Sequence, residues 1–315
     1  MRRPIGTPLI VASMVLACLA CGVWIRLAPT HVAPSEQLGL SRYHFKPRER
    51  SYTFPAGGRQ LSGAYRFVAL YGTPGDPALG ALGEQSLTDT VTRIKSIAAL
   101  YQPLSSAPIY PTFEIISTVA SASPTDDNDY SRPIDLSLLR DWVETAQANG
   151  IYVVLDLQPG RADFLTQAKQ YEALLREPNV GLALDPEWRL APTQVPLEQI
   201  GSVSAVEVNS VSDWLAALVD EHKLPQKLFV LHEFRLNMLP DRSSIDTTRP
   251  ELSYIIQMDG QGTPSAKQDT WQAITALPPV HTNFGWKNFY TKDTPILDPA
   301  ATMQITPTPW YISYQ

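Results

Sequence analysis

An alternation constrains this chain more than any other feature. Short apolar runs bounded by turn residues are separated by stretches whose apolar residues recur every third or fourth position. Runs that are apolar on both faces belong in a buried sheet, and the amphipathic stretches between them are helices that cover it. The expected strands are residues 66–72, 111–119, 151–158, 180–188, 227–234, 252–259, 281–286 and 310–314. The helices between them show matching marks. Val91, Ile94, Ile97 and Ala98 share one face of a helix over 86–100, and Asn149-Gly150 stops a helix over 136–147. Phe164, Leu165, Ala168, Tyr171, Leu174 and Leu175 mark a third helix. Ser204-x-x-Glu207 reads as a capping box opening the helix that carries Val208, Val211, Trp214, Leu215 and Leu218. A further helix is expected over 266–277.

Eight such strands imply a parallel (β/α)8 barrel, a single α/β domain over residues 59–315. A doubly wound open sheet is the alternative. It calls for a glycine-rich first turn, and Tyr71-Gly72-Thr73-Pro74-Gly75 does not make G-x-G-x-x-G. No helix follows strand eight, and the segment near Tyr52 is expected to cover that gap. Length permits the fold, since the chain has 315 residues, 44% hydrophobic and only 18% charged.

The amino end is distinct. Arg2 and Arg3 precede an apolar run over residues 8–25, with Arg26 beyond it. Residues 1–26 are therefore expected to be a cleaved signal peptide or an uncleaved anchor. Arg26 and the lack of an A-x-A site favour the anchor, with the protein at the outer face of the membrane or secreted. Val15-Leu16-Ala17-Cys18 leaves a lipoprotein open. Residues 27–58, polar and proline-containing, read as a linker and lead-in. Cys18 and Cys21 are the only cysteines, so the barrel has no disulfide, thiolate nucleophile or cysteine metal site. The formal charge of −6 includes the three arginines of the leader, which leaves −9 for the rest and argues against a nucleic-acid partner.

Active sites of such barrels lie at the carboxyl ends of the strands. The polar residues expected there are Asp156, Gln158, Asp185, Glu187, His232, Glu233, Asp259, Asn283, Lys287, Ser313 and Tyr314, with Glu114 a further candidate discounted because it lies well short of the end of its strand. Asp185 and Glu187 are the densest pair. Two residues apart on a strand they share a face, with Cα atoms roughly 6.6 Å apart, and mutual repulsion should raise one pKa into the range of a general acid. The competing expectation is that the acids cap a helix or pair with Arg189. Asp156, Gln158, His232, Glu233 and Asp259 are expected to bind substrate, with Trp188, Trp286 and Trp310 as stacking faces for sugar rings. His232 and Glu233 are neighbours on one strand, so only one of them can point inward. The histidines, His31, His44, His222, His232 and His281, show no metal-ligand spacing, and no G-x-S-x-G elbow is present. Neither metal nor cofactor is expected.

The D-x-E ending of strand four, Asp185-Pro186-Glu187, resembles that of chitinase-type glycoside hydrolases and barrel muramidases. Met258-Asp259 and Trp310 match further chitinase features loosely. The longer acidic run expected before D-x-E is replaced here by Gly181-Leu182-Ala183-Leu184. The resemblance implies a glycoside hydrolase acting on an envelope or extracellular polysaccharide, with Glu187 as acid and Asp185 as helper. The non-enzymatic alternative is a carbohydrate-binding or scaffold barrel.

Overall fold

The computed structural model describes residues 52–315. Eight parallel strands close on themselves: β1 (Arg66–Gly72), β2 (Ile109–Ala120), β3 (Tyr152–Leu157), β4 (Val180–Leu184), β5 (Lys227–Glu233), β6 (Leu252–Met258), β7 (Thr282–Asn288) and β8 (Tyr311–Tyr314). Each pairs with the next, and β8 pairs with β1 from Phe67 opposite Tyr311 to Leu70 opposite Tyr314. A three-residue edge strand, Ser131–Pro133, runs antiparallel to the end of β2. The chain is a (β/α)8 barrel.

Helices α1 (Leu87–Tyr101), α2 (Leu136–Ala148), α3 (Phe164–Gln170), α4 (Glu172–Leu175), α5 (Ala205–Glu221), α6 (Pro264–Thr275) and α7 (Pro299–Met303) connect the strands. All but α4 start at a side chain that accepts an orphan backbone N–H group: Ser86, Asp135, Asp163, Ser204, Thr263 and Asp298. Proline at the first turn of α6 and α7 adds a preset φ. The expected third helix breaks at Tyr171 into α3 and α4. The capping box before α5 is half formed. Ser204 Oγ accepts the N–H of Glu207, while the Glu207 carboxylate serves Phe164 N and Arg189.

Alternation along each strand sorts the side chains into two cores. The outward set, such as Val68, Leu70, Phe113, Leu155, Leu182, Phe229, Ile256 and Trp286, packs against the helices. The inward set is apolar at the amino end of the barrel, where Phe67, Tyr110, Tyr152, Leu228 and Tyr311 pack, and above them Ala69, Val154, Ala183, Val230 and Ile255. Gly181 makes room for this filling. A Cβ there would fall 2.7 Å from the Leu228 carbonyl and 3.0 Å from the Tyr152 hydroxyl. The lead-in closes the amino end, with Phe54, Leu61 and Tyr65 joining the same apolar cluster. Gln226 Oε1 accepts the N–H groups of Leu61 and Ser62 at 2.7 and 2.9 Å. Lys227, fully buried at the start of β5, donates to the carbonyls of Glu177 and Val180 at 2.7 Å each.

One expectation changes. Strand four ends at Leu184, not Trp188, because Pro186 cannot donate to a central ladder and opens a 3-10 turn, Pro186–Trp188. No helix among the described residues is long and apolar enough to cross a membrane. The apolar run over residues 8–25 lies outside the described residues.

Candidate functional site

One more step along the inward phase turns the barrel interior from apolar to ionic. Tyr71, Glu114, Asp156, Asp185, His232, Gln257, Asp259, Lys287 and Ser313 each lie on the inward phase of a strand or just beyond its end. His232 is the centre and is wholly buried. Its Nε2 lies 2.9 Å from Glu114 Oε1, and its Nδ1 lies 2.9 Å from Asp259 Oδ2. Asp156 Oδ1 lies 4.0 Å from the same Nε2. A ring that faces a carboxyl oxygen at both nitrogens donates twice, which only the imidazolium can do. Burial opposes that charge. The negative charge of Asp156 and the bonds to Asp259 and Glu114 outweigh it and raise His232 well above its ordinary value.

Lys287 supplies the second cation. Its ammonium is 3.0 Å from Asp259 Oδ1 and sits 3.3 Å from the centre of the Tyr71 ring. Burial alone would raise Asp259, but Lys287 and then His232 overcome it and hold the carboxyl below its usual range. The Tyr71 hydroxyl donates to Asp156 Oδ2 at 2.9 Å, and burial followed by the surrounding carboxylates raises that phenol well above 10.

The other carboxyls hold protons more tightly. Burial, eased by His232 and reinforced by Glu114, raises Asp156 to about 6. Burial also raises Asp185 well above its ordinary value, with His232 offsetting part of the rise and Asp156 and Glu187 adding to it. Glu187 is half-buried, and burial and then the charge of Asp259 raise it to about 7. Fixed anions and cations thus stand beside carboxyls that exchange protons near neutrality, the arrangement that general acid–base chemistry requires.

Asp185, His232 and Asp259 place potential ligand atoms within 4.8 Å of one another and could hold a metal ion. An ion there would compete with the proton between His232 and Asp259 and with the Lys287 ammonium already against Asp259.

The structure redistributes the sequence-derived site. Asp156, His232 and Asp259 converge on one another. Asp185 and Glu187 do not share a strand face. Asp185 instead accepts the Glu187 N–H at 3.2 Å and caps the 3-10 turn, while Arg189 pairs with Glu207 at 2.9 Å. Gln158 braces β2 against β3: its Oε1 accepts Ala120 N, and its Nε2 donates to the Tyr71 hydroxyl at 3.4 Å. Glu233 points outward by alternation and pairs with Arg242 at 2.7 Å behind the strand. Trp286 also faces the helices, edge-on to Trp271. Trp310 lies at the amino end, over which the Arg66 guanidinium stacks at 4.9 Å. Trp286 and Trp310 are therefore not stacking faces for a ligand at the carboxyl end. Trp188 is half-buried on the turn beside Glu187. Asn283, near the start of β7, is far from that strand's carboxyl end.

Glu114, discounted for its distance from the strand end, belongs to the centre. It lies mid-strand on β2, opposite Tyr71 of β1 and Val154 of β3, and its carboxyl reaches across the barrel to His232 Nε2 at 2.9 Å. Tyr71 carried no chemical signal in the sequence, although its phase, two beyond Ala69 and four beyond Phe67, was legible.

No protein-family model matches the chain, and no curated protein does. Among solved structures, a tryptophan synthase from M. tuberculosis is similar over 80% of this chain and 83% of its own, at 12% identity and a TM-score of 0.38. An HpcH/HpaI aldolase from Desulfitobacterium hafniense DCB-2 is similar over 84% of this chain and 90% of its own, at 12% identity and a TM-score of 0.39. The expectation of a glycoside hydrolase is corrected. That expectation rested on Asp185 and Glu187 sharing a strand face, and the Pro186 turn places them beyond the end of the strand instead.

Proposed function

We propose that the protein is an acid–base enzyme that removes a proton next to a carbonyl group. One observation carries this reading. Glu187, a half-buried carboxyl raised to about 7 by burial and by Asp259, stands within the field of the fixed Lys287 ammonium. Asp259 and the Tyr71 ring hold that ammonium in place. In its ionised form Glu187 takes the proton from carbon. The C–H electron pair becomes the C=C bond, and the carbonyl π pair moves onto oxygen. Lys287 donates a hydrogen bond to that oxygen as its charge develops. A cation fixed before the reaction needs no reorganisation to meet the charge, which is where such a site gains most of its rate. His232, between Glu114 and Asp259, supports the charge of the carboxylate that anchors Lys287.

The test needs no known substrate. The protein is incubated in D2O with a panel of small ketones and aldehydes, some bearing amines, and loss of α-C–H signals is followed by proton NMR. Wild type should catalyse exchange of at least one compound, and Glu187→Gln should slow it by ~10²-fold or more. Exchange at wild-type rate in Glu187→Gln, or none above the buffer rate across the panel, sinks the proposal.

A further inference from the structure

The ion balance at the carboxyl end leaves three carboxyls without a cation of their own. Glu114 and Asp259 take the two nitrogens of His232, and Asp259 takes Lys287 as well. Asp156 Oδ2 accepts from Tyr71, but Oδ1 is fully buried and has no hydrogen-bond partner, with His232 at 4.0 Å. Asp185, only 2% exposed, accepts the backbone N–H of Glu187. Glu187 itself is half-buried, at the side where the cluster meets solvent.

A buried carboxyl without a counter-ion is costly to ionise, so burial holds protons on Asp185 and Glu187 more firmly than on Asp156, which has His232 at 4.0 Å. A ligand that brings its own positive charge removes that cost and displaces the protons. An anionic ligand meets the opposite situation, with five carboxyls around it and both nearby cations already paired.

Resting on the acid–base reading above, we propose that the substrate is an organic cation, an amine- or amidine-bearing carbonyl compound whose charged nitrogen is held by Asp156 and Asp185. The orphaned Oδ1 of Asp156 is an unused acceptor for such an N–H donor. The half-buried aromatic side chains of Trp188 and Phe234, just past the ends of β4 and β5, offer faces that attract cations. Arg235 carries the same sign as the ligand, but it is exposed on the rim, 5.6 Å over the Phe234 ring, where water and salt screen it.

Ethanolamine and ethylene glycol make a near-isosteric pair, one cationic and one neutral. Their binding to the protein is measured by calorimetry at pH 7 in two buffers of different ionisation enthalpy, with acetate and Mn²⁺ alone as further probes. Ethanolamine should bind at least tenfold more tightly than ethylene glycol, and its heat should depend on the buffer because protons are released. Asp156→Asn and Asp185→Asn, each checked for fold by circular dichroism, should each weaken ethanolamine at least tenfold and leave ethylene glycol unchanged. Equal affinity for the two probes, or a heat independent of buffer, overturns the inference. So does tight binding of Mn²⁺ that excludes ethanolamine, which would make the natural cation a metal. The two proposals fail separately. Cation binding without C–H exchange removes the reaction and keeps the site, whereas exchange confined to neutral carbonyls removes the cation and keeps the reaction.

Discussion

Lys227 gives a quantitative test of the packing at the amino end of the barrel. Burial holds its pKa down at about 7, partly offset by Glu177. In the unfolded chain the same group titrates near ~10.4. Between these values the unfolded state binds a proton that the folded state lacks, so stability rises with pH across that window. The slope from this one group approaches about 1.4 kcal/mol per pH unit above its folded pKa, which gives roughly 2.3 kcal/mol between pH 7 and 9. Loss of the proton sacrifices neither bond to Glu177 O and Val180 O, because a neutral amine still has two N–H donors. Lys227→Met keeps the length and removes both donors. It should cost roughly 2–6 kcal/mol at pH 9, where wild type is free of the buried charge. At pH 6 that cost should shrink by about 3 kcal/mol, because wild type then bears the charge. Urea unfolding of both proteins, followed by tryptophan fluorescence from pH 6 to 9, gives the difference directly. Other titrating groups cancel in the subtraction. Parallel stability curves for the two proteins would refute the reasoning.

Other outcomes follow from the same geometry. Arg242→Met leaves the buried Glu233 carboxyl unpaired and should destabilise by about 3–5 kcal/mol at pH 8. The loss should be smaller at pH 5, where Glu233, raised to about 7 chiefly by burial, is protonated in any case; an equal loss at both pH values would assign the effect to packing. Asp163→Ala removes the side chain that caps α3 at Thr166 N and should lower stability by about 1 kcal/mol, read as a fall in Tm. Trp310→Ala should lower Tm yet leave C–H exchange within about twofold, because Trp310 lies at the opposite end of the barrel from Glu187; a large kinetic loss would contradict that placement. Exchange should rise with pH through about 7 as Glu187 ionises. Asp259→Asn should bring that inflection to lower pH, since the Asp259 charge raises Glu187.

The barrel was legible because its two periods are physical necessities. A strand buried on both faces must be apolar throughout, and a covering helix must be apolar every third or fourth residue. The inward phase was legible too, and it carries Asp156, His232 and Asp259 to one place. What failed was the end of strand four. The strand was read on to Trp188, but Pro186 could not sit in a central strand, so the period-two argument for Asp185 and Glu187 stopped one residue short of its subject. Glu114 failed differently. Its strand is long and shifted in register, and the height of a residue above the barrel floor depends on stagger, which single-strand patterns do not encode. The Lys287–Tyr71 contact joins β7 to β1 and becomes visible only after closure.

The seam between β1 and β8 also has a consequence for how the protein is made. Its two strands lie at opposite ends of the described chain, so a growing polypeptide carries an unpaired β1 edge until β8 has emerged. Throughout that interval the sheet has two bare edges, each a template for another chain. Conditions that delay the synthesis of β8 should therefore divert nascent chains into aggregates, and chaperones that shield strand edges should matter more here than the stability of the finished barrel would suggest.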